Sequence, residues 1–177
     1  MRQGLFSLSF LMLLAVTATA QEKEGHEKEE AAEAAKASPA LASALKEAKV
    51  TLAAGLHAAE KEGRPISGKF ELEDGKLQLS VYTMKGDKFS EVIVDHKTGK
   101  VAKAEAISGG EDLAAAQKQS QAMQKTKHEL REVIAQAEKA NPGFHAVSVV
   151  PEVENGKARA DVMLLKGNTS KSVDEQL

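Results

Sequence analysis

His128-Glu129-Leu130-Arg131-Glu132 comes within one residue of a zinc-protease helix. That chemistry needs two imidazoles one helical turn apart, with the intervening glutamate as general base. Glu132 stands where the second histidine belongs, so the segment reads as a solvated helix face. His26 lies among Glu22, Glu24, Glu27, Glu29 and Glu30, a mixture that could hold a divalent cation. Tight cation sites need a fixed array of oxygens, and carboxylates on a flexible segment make a solubilising tail instead. Two close carboxylate pairs remain. Glu71 and Glu73 fall on the expected wet face of a strand, and Glu111 and Asp112 at a helix start, where negative charge is favourable. The chain has no cysteine and no G-x-S-x-G elbow. The sequence therefore predicts no catalytic, cofactor-binding or metal-ligating residue, and no enzyme.

The first residues carry the layout of a cleaved secretory signal. Arg2 is a short positive start, Leu5 to Val16 is mostly apolar, and Ala18-x-Ala20 offers the small residues a signal peptidase needs. A dozen apolar residues fall short of the roughly 20 that span a bilayer. Cutting after Ala20 gives a periplasmic or secreted protein with no membrane span. Losing Arg2 leaves 23 basic against 26 acidic residues, a balance that gives no reason to expect nucleic acid as partner. Without cysteine there is no disulfide staple, so packing must supply the stability. Trp is absent and Tyr82 is the only tyrosine, so the core must be aliphatic.

Gln21 to Ala37 is charged and alanine-rich with no large apolar residue, and reads as a tether. Ser38-Pro39 is a helix start, Ser as N-cap and Pro at the first position. Leu41, Leu45, Ala48, Leu52, Leu56 and Ala59 then fall on one face of a single predicted helix ending at Gly63 and Pro65. Strands follow: Phe70 and Leu72 before the Asp74-Gly75 hairpin turn, then Leu77, Leu79 and Val81 in alternation. Lys85-Gly86-Asp87 turns into a strand over Phe89 to Asp95, and a last short segment runs from Val101 to Ile107. After Ser108-Gly109-Gly110 the order repeats. A helix is expected over Asp112 to Ala140, then strands over Val147 to Val153 and Ala158 to Leu164, then a polar tail.

Asp74-Gly75-Lys76 and Asn155-Gly156-Lys157 are 81 residues apart, and so are Lys85-Gly86-Asp87 and Lys166-Gly167-Asn168. Two turns recurring at one spacing, each behind an amphipathic helix, predict an internal duplication. The expected organisation is a leader at 1–20, a tether at 21–37, and two α+β units at 38–108 and 109–177. Each unit would be an amphipathic helix on a small antiparallel sheet. Units this small are marginal alone, so they should pack together.

The segment Phe89-Ser90-Glu91-Val92-Ile93-Val94-Asp95-His96-Lys97-Thr98-Gly99-Lys100-Val101 resembles the signature of PepSY domains, where an E-V-x-V-D strand enters a T-G-K-V turn. The resemblance covers the first unit, roughly Ser38 to Ile107. In the second unit the counterpart of Thr98-Gly99-Lys100-Val101 is missing, which makes that unit a degenerate copy. Local chemistry alone accounts for the motif. Asp95 can accept from backbone amides two and three residues on, and Gly99 supplies a positive φ. Asp95, Thr98 and Gly99 are thus expected to be structural. The resemblance implies a PepSY or cystatin-like α+β fold outside the cytoplasm and a link to restraining secreted peptidases. The function expected is protein binding or regulation in the cell envelope. A peptidase or envelope protein would be the partner, held weakly because large anchor residues are few. The alternative expectation is a small-ligand or divalent-metal binding protein using a helix–sheet cleft and the His26 tether.

Overall fold

The computed structural model describes residues 38–177; the expected leader and tether lie outside them. The chain folds as α+β. Among the described residues helices α1 (Pro39–Ala44), α2 (Leu52–Ala59), α3 (Gly110–Gln124) and α4 (Leu130–Ala140) accompany seven strands. These are β1 (Arg64–Glu73), β2 (Lys76–Lys85), β3 (Lys88–Val94), β4 (Val101–Ile107), β5 (His145–Glu154), β6 (Lys157–Lys166) and β7 (Thr169–Gln176). All pair antiparallel in one sheet of order β4-β3-β2-β1-β5-β6-β7. Among the described residues no helix is long and apolar enough to cross a membrane.

Turn chemistry sets the hairpins. Asp74 and Gly75 have φ of 49° and 74°, and Asn155 and Gly156 have 51° and 80°. Two consecutive positive φ values give the tight turn whose twist matches the flanking strands. Registers Glu73↔Lys76 and Glu154↔Lys157 close directly on them. Each of β1, β2 and β5, β6 is displaced by 81 residues from its counterpart. The bulges share that spacing, lying between Pro65 and Ser67 in β1 and between Ala146 and Ser148 in β5.

Strand alternation separates two faces. Phe70, Leu79, Val81, Val92 and Val94 are buried on the face that α2 covers. Small residues let that helix come close. A Cβ at Gly68 would lie 2.9 Å from Leu56 Cδ2, and one at Gly55 would lie 2.4 Å from Leu79 Cδ2. On the second half, Ala160, Val162 and Leu164 are buried in strict alternation and Val133, Ile134 and Ala137 of α4 join the same core. The other face carries Ser67, Lys69, Ser80 and Tyr82. Helix α3 lies over it, since Ser67 Oγ donates to Gln119 Oε1 at 2.8 Å and Tyr82 Oη to Asp112 Oδ1 at 2.5 Å.

The structure departs from the predicted elements in three places. The single helix expected from Ser38 to Ala59 is broken. Helix α1 gives way to a 3-10 turn at Leu45–Glu47, Ala48 is extended, and Thr51 caps α2 by accepting from the Ala54 amide at 3.2 Å. The Lys49 and Val50 amides, which a continuous helix would have used, donate instead to the His96 carbonyl at 2.9 and 3.1 Å. The helix expected over Asp112 to Ala140 is likewise two. Glu129 and Glu132 form a reciprocal capping box that starts α4, and Arg64 takes the carbonyls of Met123 at 3.0 Å and Thr126 at 3.3 Å. In both cases the periodicity was continuous, but a distant group satisfied the backbone better than another helical turn. The expected polar tail is strand β7, paired with β6 from Arg159↔Gln176 to Lys166↔Thr169.

Candidate functional site

The residues singled out for chemistry are not brought together. His128 Nδ1 lies 3.3 Å from Glu132 Oε2 at an exposed helix start, where Glu132 also accepts from the Glu129 amide at 3.3 Å. Those bonds hold the Glu132 carboxyl below the usual range, the Glu129 amide first and His128 second. The pair is a cap. His57, His96 and His145 stand on separate elements, and His26 lies outside the described residues. Among the described residues no group of three or more His, Asp or Glu side chains is arranged to hold a metal ion.

Asp95, Thr98 and Gly99 build a turn between β3 and β4. Asp95 Oδ1 accepts from the Lys97 amide at 3.0 Å, the Thr98 amide at 2.7 Å and Thr98 Oγ1 at 2.9 Å. These donors hold the exposed Asp95 carboxyl below its ordinary value. Gly99, at φ 73°, returns its amide to the Asp95 carbonyl at 2.8 Å. The turn also presents the His96 carbonyl to the break between α1 and α2, so it fixes a helix as well as a hairpin.

Glu71 was expected on a wet face but is half-buried. Its Oε1 accepts from Ser80 Oγ at 2.5 Å and its Oε2 pairs with Lys69 Nζ at 2.6 Å. Glu91 stands nearby. Burial pushes its carboxyl up, and the Glu71 and Asp112 carboxylates push the same way against Ser80 and Lys69. Burial and then the Asp112 bond raise the Tyr82 phenol. Beside this network Tyr82, Glu111, Asp112 and Gln119 line a cavity of about 200 Å³, below the roughly 300 Å³ at which ligand pockets begin. On the second half of the same face burial raises Glu152, reinforced by Asp161 and Asp174. Ser172 Oγ donates to Asp161 there. Reading the sequence missed this ridge because alternation assigns a residue to a face without showing how much of that face a later helix covers.

Among the described residues the sheet ends in two strands with one hydrogen-bonded neighbour each, β4 and β7. Strand β4 is the barer. Ala102, Lys103, Ala104, Glu105 and Ala106 are exposed in unbroken succession, so both faces meet solvent. Lys103 Nζ and Glu105 Oε2, 2.7 Å apart, occupy the acidic face. An open edge of this kind offers a row of unpaired backbone donors and acceptors to another strand. Comparison with protein-family models, with curated proteins and with solved structures finds no match to this chain.

Proposed function

We propose that the chain is an exported, non-enzymatic protein-binding or regulatory module of the cell envelope, with the β4 edge as its contact surface. The carrying observation is that, among the described residues, Val101–Ile107 is hydrogen-bonded on one side only while five successive residues are exposed. Strand addition at such an edge gains affinity from main-chain hydrogen bonds and needs no large anchor residue. A weak or transient interface fits a chain without Trp. Export rests on Arg2, the apolar run from Leu5 to Val16, and Ala18-x-Ala20.

The same reading takes residues 38–108 and 109–177 as two PepSY-like copies. Supporting the duplication, the 81-residue spacing recurs in strands, bulges and positive-φ turns. Ser80 beside Glu91 also corresponds to Asp161 beside Ser172, a hydroxyl and a carboxyl exchanged between strands. The family likeness rests on the Phe89 to Val101 segment, and through it restraint of a secreted peptidase is the regulatory role to test first. A photo-crosslinking side chain at Ala104, in cells, should capture a protein on the β4 edge. Capture at an exposed helix position such as Lys118 but not at Ala104 would refute the assignment.

A further inference from the structure

We propose that the occupant of the β4 edge is β4 of a second copy of this chain, paired antiparallel about a two-fold axis at Ala104. This deepens the reading of that edge as a contact surface and rests on it. A two-fold perpendicular to the sheet keeps corresponding faces of the two copies on the same side and joins the sheets into one. Each residue then faces a residue of like parity, because side chains alternate between faces.

With Ala104 on the axis, Lys103 faces Glu105 of the second copy and Glu105 faces Lys103, while Ala106 faces the small Ala102. Sliding the pair by two residues either way puts Lys103 opposite Lys103 or Glu105 opposite Glu105. Like charges directly opposite destabilise a sheet and opposite charges stabilise it. One register is therefore selected by the strand's own sequence.

The interior neighbour strengthens the case. Glu105 lies directly across from Glu91 of β3, a like-charge pair whose inner member is already raised by burial and nearby carboxylates. Lys103 relieves it only by reaching along its own strand. In the paired edge each Glu105 gains a second lysine on its outer side, and each lysine lies between two carboxylates. Strand β7 could place Lys171 opposite Glu175, but Lys171 already donates to Asn141 Oδ1 and stands 4.5 Å from the Phe144 ring centroid. Its charge is committed within the chain, so β4 is the edge chosen.

The chain has no cysteine, so an introduced one is a unique probe. In the full chain as its host processes it, Ala104→Cys should oxidise to a disulfide-linked dimer, because directly opposed residues fall within disulfide reach. Ala106→Cys should not, since its own copies would stand four residues apart along the pair, about 13 Å. By sedimentation the unmodified chain should be a concentration-dependent dimer. Lys103→Glu or Glu105→Lys should abolish that dimer, and the two together should restore it. A strict monomer, equal crosslinking at both positions, or no rescue by the double exchange overturns self-pairing. If the chain is monomeric while a crosslinker at Ala104 captures a different protein, self-pairing falls and the edge assignment stands. If nothing is captured, both fall.

Discussion

Leu79 occupies the space that a side chain at Gly55 would need: its Cδ2 lies 2.4 Å from where a Cβ would be. Helix α2 reaches the sheet only because residue 55 has no side chain. Alanine is the better helix former by about 1 kcal/mol, so helix propensity alone predicts that Gly55→Ala stabilises. Overpacking a filled core costs about 1–3 kcal/mol and should win. Urea denaturation should show a lower midpoint for Gly55→Ala, and the same change made in a Leu79→Ala background should cost less. A higher midpoint for the single variant would mean that α2 sits farther from β2.

Arg64 ties the start of β1 to the break between α3 and α4 through the carbonyls of Met123 and Thr126. Hydrogen bonds to a charged group contribute about 1.5–3 kcal/mol each way of counting, so Arg64→Met should cost about 2 kcal/mol. Arg64→Lys should not recover it, because an ammonium lacks the planar fork that reaches two carbonyls. Equal stability of the lysine variant and the unaltered chain would remove this role.

Asp95 should control a helix it does not belong to. Asp95→Ala removes the acceptor for the Lys97 and Thr98 donors and should loosen the turn that holds the His96 carbonyl. Faster hydrogen exchange at the Lys49 and Val50 amides, which bond that carbonyl, is the readout. Because its folded-state pKa is lowered, Asp95 stabilises above its unfolded value. That contribution is lost as pH falls through the folded value. Gly99→Ala, at φ 73°, should cost about 1 kcal/mol through left-handed strain. Unchanged exchange at Val50 in Asp95→Ala would separate the turn from the helix.

Glu91 carries the opposite sign. Burial raises its folded-state pKa, so the ionised form opposes folding. The stabilisation is complete below the unfolded value and is lost as pH rises through the folded one. Glu91→Gln should therefore raise the melting temperature at neutral pH, with a stability gain below about 1 kcal/mol because solvent screens a partly exposed group. The gain should vanish in acid below the carboxylate range. A gain that persists in acid would trace to packing rather than charge.

Local chemistry was legible from residues alone. Asp-Gly and Asn-Gly between alternating strands admit few backbones, so the hairpins at Asp74-Gly75 and Asn155-Gly156 follow from φ preference. The buried alternation of Ala160, Val162 and Leu164 follows from a period of two. Where the chain chooses between continuing an element and bonding something remote, the sequence was silent. Leu41 to Ala59 reads as one helix until the His96 carbonyl, three strands further along the chain, takes the Lys49 and Val50 amides. Asp112 to Ala140 reads as one until Arg64 takes carbonyls from its middle. Only the tertiary structure decided which strands end the sheet, and hence that Lys103 and Glu105 stand on a bare edge beside Glu91. The order of strands is a sum of long-range contacts, and no window along the chain contains that sum.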